Sequence, residues 1–202
     1  MFTGIITGLG RVTAHERIGD GQRITVACGD WALDDIAIGD SIAHSGCCLT
    51  IVEKGAGLLR SDVSAHSLTV VAGLDVGALV NLEKSLTLAD KLGGHLVSGH
   101  VDAMGTVTQW RNLAESWLLE VEVPAHLGKF IAQKGSITVN GVSLTVNVVH
   151  DVATGARFQV NVIPHTYQVT NFFELALDRR VNIEIDTVAR YVERLIGFSK
   201  QR

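Results

Sequence analysis

Proline is almost missing from this chain: two residues in 202, against twenty-one glycines. Turns must therefore be made by glycine and its polar neighbours. Cysteine is scarce as well, with only Cys28, Cys47 and Cys48. An odd count with two adjacent thiols makes a poor disulfide framework, so a reducing cytoplasm is expected. Basic charge is not in excess: 17 Lys and Arg against 21 Asp and Glu give a net charge of −4. That disfavours a nucleic-acid backbone as partner. No apolar run approaches the ~20 residues a membrane span needs. The opening Met1-Phe2-Thr3-Gly4 lacks the basic start and apolar core of a secretory signal.

Several chemical signatures are missing too. There is no phosphate loop, no strand-led G-x-G-x-x-G and no G-x-S-x-G elbow. Neither C-x-x-C nor H-E-x-x-H occurs, so no metal site is expected. His95 and His100 share a glycine-rich stretch, where a turn or hydrogen-bonding role is favoured over ligation.

What the chain does have is a repeat. Ser41 to Thr50 reads S-I-A-H-S-G-C-C-L-T, and ninety-five residues later Ser136 to Thr145 reads S-I-T-V-N-G-V-S-L-T. Thr3-Gly4-Ile5-Ile6 matches Ser98-Gly99-His100-Val101 at the same offset. Val80-Asn81-Leu82-Glu83 answers Val181-Asn182-Ile183-Glu184 at an offset of 101, the growth being a small loop insertion. Short runs rich in Val, Ile, Leu and Thr between glycines predict strands. The chain is thus a tandem duplication of a small all-β module, residues 1–95 and 96–187, followed by a tail from 188 to 202.

Within each module the repeated stretch predicts a hairpin. Asn140-Gly141 between alternating apolar residues is a strong turn signal, since both residues accept positive φ. Alternation then sets Val142, Leu144, Val146 and Val148 on one face and Ser143, Thr145 and Asn147 on the other. In the first copy Cys48 and Thr50 take the polar face. A helical turn is expected over Leu86 to Leu92. The tail carries Val188, Tyr191, Val192, Leu195 and Ile196 at helical spacing, with Asp186 as N-cap and Gly197 just past the end. A helix so short is marginal alone, below the ~12–15 residues needed in water, so its stripe must dock.

The polar faces are the candidate sites: Ser41, Cys48 and Thr50 in one module, Ser136, Ser143 and Thr145 in the other. Hydroxyls donate and accept, which suits a ligand rich in carbonyls and ring nitrogens or a polyol chain. His66-Ser67 and His165-Thr166 also correspond. Two sites related by internal symmetry suit a reaction that consumes two copies of one molecule.

The motifs MFTGII, GGHLVSGHVD at Gly93 to Asp102, KGSITVNGVSLTV, IPHT at Ile163 and VNIEID at Val181, with the paired hairpins, are ordered along nearly the whole chain. Together they resemble the riboflavin synthase family of the lumazine-dismutating α-chain type. The resemblance implies an all-β fold of two tandem six-stranded antiparallel Greek-key β-barrels and a C-terminal α-helix. It implies a homotrimer with active sites between subunits, and a cofactor-independent transferase reaction. Two molecules of 6,7-dimethyl-8-ribityllumazine exchange a four-carbon unit, giving riboflavin and 5-amino-6-ribitylamino-uracil.

Carried over by position, the first pocket would contain Gly4, Ile5, Ile6, Ser41, Cys48, Leu49 and Thr50, with Asp62, Val63, Ser64, Ala65, His66 and Ser67. The second would contain Gly99, His100, Val101, Lys134, Asn140, Ser143, Leu144 and Thr145, with Val162, Ile163, Pro164, His165, Thr166 and Tyr167, and Asp186 nearby. His100, Ser143 and Thr145 would assist deprotonation of the donor, and Cys48 or a water beside it would add at C7 of the acceptor, with Ser41 close by. The sequence departs from the family at Asn140, where Asp is usual, at Ser45, where Asn is frequent, at His66-Ser67, where Glu-Thr is usual, and in a short loop from Leu68 to Gly77. The alternative is a lumazine- or flavin-binding protein of the same fold that does no chemistry: Asn140 and the altered Leu68 to Gly77 loop favour it, whereas retention of Cys48, His100, Ser143 and Thr145 favours the enzyme.

Overall fold

The computed structural model describes residues 1–199. Six strands, β1 (Gly8–Ile18), β2 (Gly21–Ala27), β3 (Ser41–His44), β4 (Cys47–Gly55), β5 (Leu58–Val63) and β6 (Leu79–Lys84), form a closed antiparallel barrel in the order β1-β2-β5-β4-β3-β6. A short helix α1 (Ala65–Val70) follows β5. The second copy repeats the circuit with β7 (Ala103–Asn112), β8 (Trp117–Pro124), a turn of helix α2 (Ala125–Gly128), β9 (Ser136–Val139), β10 (Val142–Thr145), β11 (Val148–Val152), β12 (Gly155–Val162), α3 (Pro164–Val169) and β13 (Arg180–Ile185). A 3₁₀ turn, Asn171–Glu174, lies between α3 and β13, and α4 (Thr187–Ser199) completes the described chain.

Alternation builds each core. In β4, Cys47, Leu49 and Ile51 face inward while Cys48 and Thr50 face out. The second sheet counts seven strands because the partner of β4 is broken at Val146 and Asn147 into β10 and β11. The first copy has its own irregularity at the same place, between Ile51 and Glu53. Around the break, Val146 N still donates to Gly135 O and Asn147 N to Gln159 O, so the strand stays bonded to both neighbours. The break resets the alternation: Val146 is buried, but Val148 is exposed and Val149 packs on the core instead. The expected common face of Val142 to Val148 therefore ends at Val146.

Two other expectations shift. Leu86 to Leu92 forms no helix, only a turn in which the Asp90 carboxylate accepts from Thr87 N and Oγ1, each at 2.8 Å. The terminal helix runs through Gly197 to Ser199, and Asp186 caps it, its Oδ1 accepting from Val188 N at 2.9 Å. The last part of the expected tail, 200–202, lies outside the described residues.

The barrels meet at their hairpin tips. Ser45, Gly46, Asn140 and Gly141 all have positive φ (46°, 85°, 47° and 79°), the type I′ geometry that matches strand twist. The tips pack main chain against main chain: a Cβ at Gly46 would lie 2.8 Å from Gly141 N, and one at Gly141 2.7 Å from Gly46 N. Around them is a buried amide network with near two-fold symmetry. Asn81 Nδ2 donates to Asn140 O and Asn182 Nδ2 donates to Ser45 O, both at 2.9 Å. Their Oδ1 atoms accept from Asn171 N and Ala72 N, both at 2.7 Å.

The barrels differ inside. His44 occupies the β3 position that Val139 holds in β9, and its ring is fully buried. Nδ1 lies 3.1 Å from Ile42 O, and Nε2 has no partner among the described residues. Burial pushes its pKa down to about 4 from 6.5. The unfolded chain therefore takes up this proton first, and stability falls as pH drops from 6.5 to about 4. The shift corresponds to roughly 3 kcal/mol. His44→Val should remove this loss, so variant-minus-wild-type stability in urea should rise on acidification through that window. A difference that stays flat with pH would contradict a buried neutral ring.

Candidate functional site

Each barrel presents a polar outer face beside its short helix. On barrel one, Ser41 pairs across the ladder with Thr50, and Ala43 pairs with Cys48. On barrel two, Ser136 pairs with Thr145 and Thr138 with Ser143. The next strand adds Asp62, on the same outer face, to the first site and Asn161 to the second. Ser64 caps α1, its Oγ accepting from Ser67 N at 3.1 Å, whereas Pro164 opens α3. Ala65 and His66 are exposed on α1, and Ile163, Pro164 and His165 at the start of α3.

The N-terminal segment of each copy crosses to the other copy's barrel. Cys48 N donates to Gly99 O, and Ser143 N donates to Gly4 O, both at 2.8 Å. The crossing requires glycine, since a Cβ at Gly99 would sit 2.7 Å from Cys48 Cβ and one at Gly4 2.6 Å from Ser143 Cβ. Val101 packs on the core of barrel one and Ile6 on that of barrel two. The expected grouping is thus corrected: Gly4, Ile5 and Ile6 go with barrel two, and Gly99, His100 and Val101 with barrel one. The two segments pair with each other at Phe2 and Val97, which blocks each from returning to its own barrel.

Each crossing is clamped by a buried carboxylate. Glu83 accepts from Thr3 N, Thr3 Oγ1 and Gly4 N, and Glu184 accepts from Ser98 N, Gly99 N and His100 N. Burial raises both pKa values against these donors, that of Glu184 to about 7. The sequence repeat contained both glutamates, but only the fold reveals which amides they hold.

Other predicted residues take different places. Asn140 is a correction: its Oδ1 accepts from Asn182 N at 2.8 Å within its own copy, and its carbonyl accepts from Asn81 Nδ2 of the other barrel at 2.9 Å, so it belongs to the inter-barrel seam. Ser45 lies there too, its Oγ accepting from Asn81 N at 3.1 Å. Leu49, Val63 and Val162 point into the cores, so only their main chain borders the faces. Leu144 is half-buried against the second core. Lys134 sits in the left-handed turn before β9, its N donating to Val146 O.

Several neighbours escaped the sequence reading. Arg23 makes a two-pronged ion pair with Asp62, at 2.6 and 2.9 Å, which holds that carboxyl below its ordinary range. In barrel two, Trp117 stacks on Tyr167 with ring centroids 4.0 Å apart, and Trp110 stacks beside them. His95 Nδ1 lies 2.8 Å from Ser143 Oγ, the hydrogen-bonding role expected of it. Among the described residues no group of His, Cys, Asp or Glu could hold a metal ion.

Two similar polar faces on paired barrels define a class that comparison with known proteins identifies. A lumazine binding domain matches residues 3–85 and again 98–186. Riboflavin synthase of Photobacterium phosphoreum is 41% identical over 202 residues, covering 99% of this chain and 91% of that one. The Mycobacterium tuberculosis H37Rv riboflavin synthase is 42% identical over 204 residues, covering 97% and 98%. The chain belongs to the riboflavin synthase family. Crystal structures of LumP complexed with 6,7-dimethyl-8-(1'-D-ribityl) lumazine and with riboflavin share the fold, with TM-scores of 0.80 and 0.82 at 24% identity, each covering 92% of this chain and 99% of LumP.

The three thiols are predicted to differ in reactivity. Cys47 and Cys28 are buried, and burial pushes their pKa values up to about 12 and about 11. Cys48 is partly exposed on the site face. A maleimide reagent on the native protein should modify Cys48 first, as read by peptide mass spectrometry. Equal labelling of Cys47 would contradict the strand phase.

Proposed function

We propose that this chain is a riboflavin synthase that converts two 6,7-dimethyl-8-ribityllumazine molecules into riboflavin and 5-amino-6-ribitylamino-uracil by transfer of a four-carbon unit. The observation that carries this reading is near-full-length identity to riboflavin synthases, at 41–42%, with two matched outer faces in one chain. The reaction is feasible on the rings themselves, so the protein's work is to orient them and stabilise the charge that develops.

In this reading one lumazine lies on the face of barrel one against Ser41, Cys48, Thr50, Asp62 and the Ser64 to Ser67 helix start. The other lies on barrel two against Ser143, Thr145 and the Ile163 to Tyr167 turn. The donor loses a proton from its C7 methyl, and the carbanion attacks the acceptor, whose C7 has been activated by Cys48 or a water beside it. The alternative of a binder without chemistry rested on Asn140 and the Leu68 to Gly77 loop, and Asn140 lies in the seam, its carbonyl accepting from Asn81 of the other barrel. Purified protein given 6,7-dimethyl-8-ribityllumazine alone should generate riboflavin fluorescence. Lumazine that binds and stays unchanged would overturn the enzyme reading.

The same reading makes the active assembly a trimer in the cytoplasm, with barrel one of one chain facing barrel two of another. Support comes from α4, whose polar side is tied to the body: Arg190 pairs with Asp102 at 2.8 Å and Lys129 with Glu193 at 2.6 Å. Its apolar stripe is left facing solvent, with Val188 66%, Tyr191 65% and Leu195 69% exposed. Monomers rarely leave such a stripe uncovered. Ending the chain after Thr187 should lower the mass seen in light scattering to that of a monomer. An unchanged mass would mean that the helix is not the contact.

A further inference from the structure

The last strand of each barrel carries one motif, Val80-Asn81-Leu82-Glu83 on β6 and Val181-Asn182-Ile183-Glu184 on β13. Asn81 and Asn182 bind the opposite barrel at the seam. Each glutamate follows its asparagine by two residues, about 6.8 Å further along the same side of the strand. Both glutamates are buried. Glu184 Oε1 accepts from Ser98 N at 2.7 Å, and Oε2 accepts from Gly99 N at 2.9 Å and His100 N at 3.0 Å. Glu83 Oε1 accepts from Thr3 N at 2.7 Å, and Oε2 accepts from Gly4 N at 3.1 Å. Hydrogen bonds to an ionised carboxylate are about twice as strong as neutral ones, so each turn is held firmly.

What each carboxylate holds lies on the other barrel. Gly99 accepts from Cys48 N, and Val101 packs on the core of barrel one, with His100 carried between them. Gly4 accepts from Ser143 N, and Ile6 packs on the core of barrel two. The clamps also differ. Thr3 Oγ1 donates to Glu83 at 2.6 Å, whereas the matching Ser98 Oγ lies 3.3 Å from Thr187 Oγ1. Among the described residues Glu184 is therefore held by main-chain amides alone.

We propose that Glu184 of barrel two is the positioning residue for the lumazine site on barrel one, and Glu83 of barrel one for the site on barrel two. Each site thus takes its affinity from a carboxylate of the opposite barrel, which acts through the turn it gathers and not by touching ligand. This rests on the riboflavin synthase reading above. In that reading a ring on barrel one lies beside Cys48 and Thr50, and the Gly99 to Val101 segment forms the adjoining wall. Released from Glu184, that segment gains conformations that must be ordered again when the ligand binds, and affinity falls. The wall of the other site, Gly4 to Ile6, stays in place because Glu83 still holds it.

Cys48 reports on barrel one, since it is the thiol on that face. Its labelling by maleimide is followed by peptide mass spectrometry across a riboflavin titration, in full-length wild type, Glu184→Gln and Glu83→Gln. Glutamine sets an N–H donor where the clamp needs an acceptor. Riboflavin bound on barrel one should shield the thiol, and the concentration giving half protection reads that site alone. Glu184→Gln should raise this concentration by about 10-fold or more, the scale of a lost hydrogen bond to a charged group, and Glu83→Gln by less than about twofold. In riboflavin formation from 6,7-dimethyl-8-ribityllumazine both variants should raise KM by about 10-fold and keep kcat within about threefold. Thermal melting checks that each variant is folded. Glu184→Asp, which keeps the charge and draws it back by one methylene, should shift half protection in the same direction and stands in if the glutamine variant does not fold. The proposal is overturned if Cys48 in the Glu184 variants is protected as in wild type, if Glu83→Gln shifts its protection equally, or if the loss appears in kcat alone. Riboflavin that leaves Cys48 unshielded in the wild type would instead overturn the reading of barrel one as a ligand face, so the two failures are distinct.

Discussion

The structure depends on a pair of buried asparagines, one from each copy. Asn81 and Asn182 each donate to the hairpin tip of the opposite barrel, and each accepts a main-chain N–H from the loop beyond α3 or α1. A buried amide left without partners costs about 1–3 kcal/mol, so a satisfied network of this kind tolerates one arrangement and penalises others. The hairpin tips meet main chain to main chain at Gly46 and Gly141, where a side chain would force them apart. Orientation of one barrel on the other is thereby fixed by directional bonds rather than by apolar contact alone.

From that fixed seam follows the way the sites are assembled. The first residues of each copy do not lie on the polar outer face of their own barrel, because the strand-like pairing at Phe2 and Val97 carries them across. Glu83 and Glu184 hold the crossings, each gathering successive amides of a tight turn. Both faces consequently contain residues of both copies. Duplication made them alike, and a few substitutions have made them unlike: Cys48 against Ser143, Asp62 with Arg23 against Asn161, and on barrel two the stack of Trp117 on Tyr167. Catalysis by orientation of two identical molecules in different roles requires such a divergence from a symmetric start.

Much of this was legible in the sequence. The repeat revealed two modules, the Asn140-Gly141 pair revealed a hairpin, and strand alternation separated Cys48 from Cys47. The spacing of Val188 to Ile196 marked the helical stripe, although which side of it would face the body depended on Arg190 and Glu193 finding Asp102 and Lys129. What stayed hidden was contact between segments distant in the chain. Matching Gly4 with Gly99 by repeat position led to the wrong barrel for each, because internal symmetry relates positions and says nothing of exchange between the copies. Asn140 stands beside pocket residues in sequence, yet as a turn residue at the pseudo-two-fold it offers its carbonyl to Asn81 of the other barrel. Val148 was placed inside by a period-two rule that a break at Asn147 reset. His95 carried no local signal beyond its glycine neighbours, and its partner is 48 residues away.

If the seam holds the two crossings in place, the amides that carry them should open only with the whole molecule. Native-state hydrogen exchange resolves this at Cys48 N and Ser143 N, which donate to Gly99 O and Gly4 O. The account predicts that both exchange with the same free energy as the core strand amides and as Asn171 N in the seam. Exchange at Cys48 and Ser143 by a local opening of lower free energy, while the seam stays protected, would contradict it.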